Sequence, residues 1–307
     1  MNDSFFAVTF SGSLLIMSIP PKLISQTVEL RHTKTIQLSK PERDDFAQSR
    51  LTSIAVNLQN DIYAIDASKN SVMRFNSEGE FVREVGGFGW QDEQFDSPVA
   101  IWAENGLDVF VADYNNSRIQ RFDRKLNFVA SILGRQAEDQ RLQFAFPIAV
   151  SFSNFGELFI AEREHNRVLK LNAEFEPVES FGDYDWGAGV LGSPVSLAVF
   201  EDKAVFVADN ERRSVIQFDY FGNFLNEILL ENSSPVAEIA VSREHIFILE
   251  ERTNDLKVFA HDGSPVLQSS PQFPTANQKI TSLALTRNVL YLLDSAQNVV
   301  FCYSIGK

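Results

Sequence analysis

From about residue 50 onward, apolar positions come in short runs separated by turn residues, with no stretch of helical period. The runs PVAIWA (98–103), DVFVAD (108–113), RIQRFD (118–123) and NFVASIL (127–133) are typical, each partly alternating and rich in Val, Ile and Phe. They predict four strands joined by tight hairpins.

The group of four then recurs. FVADYNNSRIQRFD (110–123) is matched by YAIDASKNSVMRFN (63–76), FIAEREHNRVLKLN (159–172) and FVADNERRSVIQFD (206–219), and more loosely by FILEERTNDLKVFA (247–260) and YLLDSAQNVVFCYS (291–304). The acids Asp66, Asp113, Glu162, Asp209, Glu250 and Asp294 anchor the copies at spacings of 47, 49, 47, 41 and 44 residues. Six positions after each stands an aliphatic (Val72, Ile119, Val168, Val215, Leu256, Val300), and nine after it a large apolar residue (Phe75, Phe122, Leu171, Phe218, Phe259, Tyr303). A period of ~40–50 residues built of four strands predicts a propeller. A small residue recurs on the first strand (Ala55, Ser151, Ala198, Ala240, Ala284), with Trp102 as the exception. The sixth copy holds only three strands, and residues 28–38, with Val28, Leu30, Ile36 and Leu38 on one alternating face, are expected to supply its fourth and close the ring.

The motifs P-x-[small]-[IV]-[small]-V, [FY]-[VI]-A-[DE] and N-[RS]-[IV]-x-x-[FL] resemble the NHL repeat; PVSLAV (194–199) and PIAVSF (147–152) carry the first of them. The linker GGFGWQDEQFDSP (86–98) is similar to that family's inter-repeat segment. The resemblance covers about 50–307 and implies an all-β, six-bladed propeller of four-stranded antiparallel blades. A single domain is expected over 26–307, with blades near 51–90, 95–136, 143–187, 191–232, 233–273 and 275–307. Ahead of it, the apolar run 5–19 is too short to span a bilayer as a helix, so 1–25 reads as a signal or targeting segment. Export to the periplasm or cell exterior is expected, with the cytoplasm as the alternative; Asp3, the lack of a preceding Lys or Arg and the absence of an A-x-A site weaken the signal. No stable membrane span and a monomer are expected.

Charge and cysteine content narrow the function. Lys+Arg 27 against Asp+Glu 41 gives −14, which opposes a phosphate backbone, so nucleic acid is not expected as a partner although some NHL-like domains bind RNA. Cys302 stands alone, which excludes an internal disulfide and a thiolate metal cluster. Some NHL-like propellers resemble amidating lyases that hold zinc with several histidines. Here the repeat places His165 on one face and His245 and His261 on the other, and His32 lies outside the repeats, so no metal or other cofactor is expected.

The candidate residues fall into two groups. The six anchor acids read either as a crown of cation ligands or as turn caps accepting backbone N–H groups; the second explains their presence in every copy. Asn70, Asn166, Asn254 and Asn298, four residues later, fit turn positions with positive φ. The departures from the repeat carry more information. Glu238 replaces a Ser or Ala (Ser53, Ala100, Ala149, Ser196, Ser282), and Trp102 a small residue. The linkers 86–97, 134–146 and 182–193 carry aromatic residues on the face of the anchor acids, of which Phe95 and Phe146 are expected to plug gaps between blades. Ligand contacts are expected from Trp90, Trp102, Tyr114, Arg163, Trp186, Arg212 and Glu238. The expected function is a non-catalytic scaffold binding a protein, peptide or glycan on that face; the alternative is a lyase or hydrolase centred on Glu238 at the channel mouth.

Overall fold

The computed structural model describes residues 27–40, 49–230, 234–268, 273 and 278–306. The expected signal segment lies outside the described residues, and among them no helix is long and apolar enough to cross a membrane. The chain folds as six radial sheets. The opening strand is β1 (Thr27–Gln37). The first blade holds β2 (Leu51–Val56), β3 (Ile62–Asp66), β4 (Ser71–Phe75) and β5 (Phe81–Gly86), and the second β6 (Pro98–Trp102), β7 (Asp108–Asp113), β8 (Arg118–Asp123) and β9 (Phe128–Leu133). The third has β10 (Pro147–Phe152), β11 (Leu158–Glu162), β12 (Arg167–Leu171) and β13 (Pro177–Phe181); the fourth has β14 (Pro194–Phe200), β15 (Ala204–Asp209), β16 (Ser214–Asp219) and β17 (Phe224–Leu229). The fifth comprises β18 (Val236–Val241), β19 (His245–Glu250) and β20 (Leu256–Ala260), followed by β21 (Leu267–Gln268); the sixth comprises β22 (Ile280–Thr286), β23 (Val289–Asp294) and β24 (Val299–Gly306).

Within each blade the strands pair antiparallel in chain order. β1 pairs antiparallel with β24 and completes the sixth blade, as the alternation over 28–38 predicts. The chain then grips the first blade as well: Ser39 donates to the Gly79 carbonyl and accepts from the Phe81 N–H. The fifth blade departs from expectation, because its outer strand β21 leaves β20 and pairs parallel with β1. Pro265, which has no N–H, stands where that strand would join the ladder, and only the bonds flanking it, Ala260 N–H to the Ser264 carbonyl and Val266 N–H to the Val258 carbonyl, are seen among the described residues.

The repeat residues build the core. The aliphatic six positions after each anchor is at most 3% exposed in every blade, and Phe75, Phe122, Leu171, Phe218 and Tyr303 are fully buried between sheets. Each such side chain contributes roughly 1.5–3 kcal/mol of burial free energy.

Pairings such as Pro98 with Asp113 place the anchor acids, the turns that follow them and the interblade linkers on one face, here the upper face. Every inner strand also breaks register near its start, between Leu51 and Ser53, Pro98 and Ala100, Pro147 and Ala149, Pro194 and Ser196, Val236 and Glu238, and Ile280 and Ser282. The extra residue of each bulge, Thr52, Val99, Ile148, Val195, Ala237 or Thr281, lines the central channel.

Candidate binding site on the upper face

The anchor acids are buried in all six blades, at 0–3% exposure. Their oxygens accept from the linker entering the blade and from the turn leaving it. Asp209 takes the N–H groups of Gly192 (2.7 Å), Ser193 (2.9 Å), Glu211 (3.0 Å) and Arg212 (2.9 Å). Asp66 takes those of Arg50 and Ser68, and Asp294 those of Lys279 and Ala296. The fourth residue after the anchor has positive φ in every blade: Asn70, Ser117, Asn166, Arg213, Asn254 and Asn298, between 50° and 58°. This geometry is that of a turn cap repeated around the ring.

In two blades the cap recruits an arginine. Arg118 reaches Asp113 at 2.7 Å and the carbonyls of Trp90, Gln91 and Gln94 at 2.7–2.9 Å, while Arg167 reaches Glu162 at 3.0 Å and the carbonyls of Arg141 and Gln143. Burial nevertheless leaves the Asp113 pKa raised. Glu162, Glu164 and His165 bring ligand atoms within 4.8 Å of one another, but Glu162 Oε1 is already engaged by Arg167 and His165. The other histidines have separate places: His261 bonds the Ser242 carbonyl and packs on Phe200, His245 is buried at the start of β19, and His32 pairs with Thr35.

The structure brings Tyr114 and Arg163 into one pocket, with Ser97, Val99, Ile148, Pro194 and Val195. Its volume is about 410 Å³, within the ~300–1,000 Å³ of small-ligand sites. The bulge residues Val99, Ile148 and Val195 form its apolar floor. Tyr114 is held at its rim by Phe146, with ring centroids 5.2 Å apart. Phe146, expected as a plug, is half-buried and backs Tyr114 from outside the pocket lining, whereas Phe95 and Phe144 are 0–1% exposed. Arg163 is exposed, its guanidinium bonded only to Ser193 Oγ at 3.3 Å among the described residues.

The other expected contacts are dispersed. Trp90 presents a ring 76% exposed on the linker that Arg118 pins through its carbonyl. Trp102 is only 7% exposed: it packs between blades against Phe110 and Phe152 while reaching the lining of the central channel, away from the Tyr114 pocket. Arg212 is spent on Glu227, through paired bonds of 2.9 and 2.7 Å. The side chain of Trp186 lies outside the described residues.

Glu238 sits in the channel, where its Oε2 accepts from Ser282 Oγ (2.6 Å) and the Leu283 N–H (2.8 Å). Serines at its position do the same for the following blade: Ser196 Oγ accepts from Ile239 N–H and Ser282 Oγ from Ile54 N–H. Glu238 is thus a longer version of an interblade tie. A second channel acid, Glu104, was not singled out by the repeat comparison. Its counterparts Asn57 and Ser153 cap the turn between first and second strands, whereas Asn105 caps it in the second blade and leaves Glu104 free. That one-residue slip is visible in the sequence. Glu104 is exposed to the channel yet walled by protein, and this confinement pushes its pKa up to about 7; burial does the same for Glu238, opposed by its two donors and reinforced by Glu104. Among the described residues no Lys or Arg lines the cavity, whose volume is about 130 Å³.

No protein-family model matches the chain. Over 147 residues, 47% of its length, it is 31% identical to Protein brain tumor of Drosophila melanogaster, and over 146 residues, also 47%, it is 26% identical to the B-box type zinc finger protein ncl-1 of Caenorhabditis elegans. The matched regions are 13% and 16% of those proteins, so the chain spans under a fifth of the curated relatives it matches. Among solved structures it superposes on a catalytically inactive virginiamycin B lyase from Staphylococcus aureus with quinupristin, at a TM-score of 0.59 and 13% identity, covering 88% of both chains. It also superposes on a streptogramin B lyase at 0.59 and 11% identity, covering 91% of this chain and 98% of that one. These likenesses establish the six-bladed propeller fold, and the sequence matches establish homology across 47% of the chain.

Proposed function

We propose that the chain is an NHL-type propeller that binds a protein segment on its upper face, at the pocket between Tyr114 and Arg163. The observation that carries this reading is the convergence of three blades on one open pocket with an apolar floor and an uncompensated cation. The partial homology to brain tumor and ncl-1 supports the NHL assignment.

A lyase reading, suggested by the fold of the virginiamycin and streptogramin lyases, rests on Glu104 and Glu238. Glu238 is committed to Ser282 and Leu283, and ~130 Å³ falls below the usual size of a substrate pocket. The binding reading is therefore the better supported. The test is an affinity capture with the full chain, in which Tyr114→Ala and Arg163→Ala should each lose a partner that Phe155→Ala, on the opposite face, retains. Loss by Phe155→Ala alone would move the site to the lower face.

A further inference from the structure

We propose that the segment recognised on the upper face is an acidic peptide, which seats an aliphatic side chain in the Tyr114 pocket and gives its carboxylates to Arg163 and, one blade further, to Arg213 and Arg252. This rests on the upper-face reading and adds the chemistry of the partner.

The fate of the upper-face arginines points to this chemistry. Arg118, Arg167 and Arg212 are consumed by Asp113, Glu162 and Glu227. Arg163, Arg213 and Arg252 are exposed, and no carboxylate among the described residues pairs with them. Arg213 and Arg252 line one concavity of about 360 Å³ between the fourth and fifth blades, with Leu230, Pro235 and Val236 as apolar walls. Its remaining amide, Asn210, is used up by the Val236 N–H and carbonyl, so the two guanidinium groups are its chief recognition chemistry. Placing two cations on one hollow is unfavourable until an anion joins them. Arg213 also occupies the positive-φ turn position that every other blade gives to Asn or Ser, at φ 53°, a conformation costly for a long side chain.

Val99, Ile148, Val195 and Pro194 floor the neighbouring pocket beside Arg163. The two hollows therefore offer an aliphatic seat next to one cation and then a two-cation seat. Glu164, Glu211 and Glu251 stand on the same turns between these points. A continuous polyanion would meet alternating signs there, whereas a peptide can place discrete acids at the cations.

The test uses the full chain as bait for a phage-displayed random dodecamer library, followed by fluorescence polarisation with the enriched peptides. Enriched sequences should carry Asp or Glu beside Leu, Ile or Val. Arg163→Ala, and Arg213→Ala combined with Arg252→Ala, should each weaken binding by about tenfold or more, with affinity falling as salt rises. Tyr114→Ala and Val195→Arg should also weaken binding, the latter scored only if circular dichroism shows an intact fold. Peptides that need Tyr114 but lack acids and ignore the arginines would overturn the acidic partner and leave the upper-face reading standing. Peptides indifferent to Tyr114, Val195 and all three arginines would overturn both. Enrichment no greater than on an unrelated bait overturns the proposal, as does tighter, arginine-dependent binding of a 20-mer oligouridylate.

Discussion

The molecule carries two sets of ring-facing carboxylates, and they behave oppositely. The six anchor acids are buried, repeated in every blade and met by backbone donors of the turns they hold. Glu104 and Glu238 are present in one blade each and share a channel with no cation among its described lining residues, and both have a pKa near 7. Repetition thus marks a carboxylate the fold requires, and departure from the repeat marks one it merely accommodates. The comparison also explains why FVADYNNSRIQRFD looks like an active site: Asp113 and Arg118 form a buried pair that clamps a linker.

The largest effect should come from breaking an arginine-backed cap. Asp113→Ala strands Arg118 in a site where its side chain is 5% exposed, and removing one member of a buried pair costs about 3–5 kcal/mol. Asp294→Ala removes a cap with no arginine behind it and should cost only about 1–2 kcal/mol. Urea denaturation of the two variants measures the difference. Equal losses would mean that Arg118 contributes nothing beyond the turn.

The channel acids should show the opposite sign. Their folded pKa, about 7, lies above the ordinary 4.5, so the folded protein binds their protons more tightly than the unfolded chain. Their ionisation costs nothing below pH 4.5 and erodes stability progressively as pH rises to about 7. Replacing both, Glu104→Gln with Glu238→Gln, removes that slope. The variant should match the wild type at pH 4 and exceed it at pH 8 by about 1–2 kcal/mol, a figure kept small because channel water screens Glu104. Parallel melting curves across that range would show that the channel water fully solvates both groups.

Most of the fold was legible because six copies in register constrain one another. The anchor acid and the aliphatic of each copy fall at a strand end and in the core, as does the large apolar residue in all but the fifth, whose Phe259 is partly buried. What the sequence hid depends on side-chain direction and on contacts between copies. Trp102 occupies a small-residue position, yet its ring swings between blades onto Phe152, a rotamer outcome that no spacing encodes. The transfer of β21 to β1 joins residues 267 and 27, which no local pattern links. At the site, Tyr114 and Arg163 could be singled out one at a time, but the shared pocket required the inner-strand bulges that push Val99, Ile148 and Val195 to the channel mouth.

The smallest stability effect is expected at Trp90, and it separates the display of a side chain from its support. The Trp90 carbonyl is held by Arg118, Phe95 anchors the same linker at 0% exposure, and the ring itself projects into solvent. Trp90→Ala should therefore leave unfolding free energy within about 0.5 kcal/mol of wild type, whereas Phe95→Ala should cost about 3–5 kcal/mol. If Trp90→Ala also weakens the binding of an upper-face peptide, the linker is part of the recognition surface. A stability loss as large as that of Phe95→Ala would instead make the tryptophan a buried strut, which its exposure contradicts.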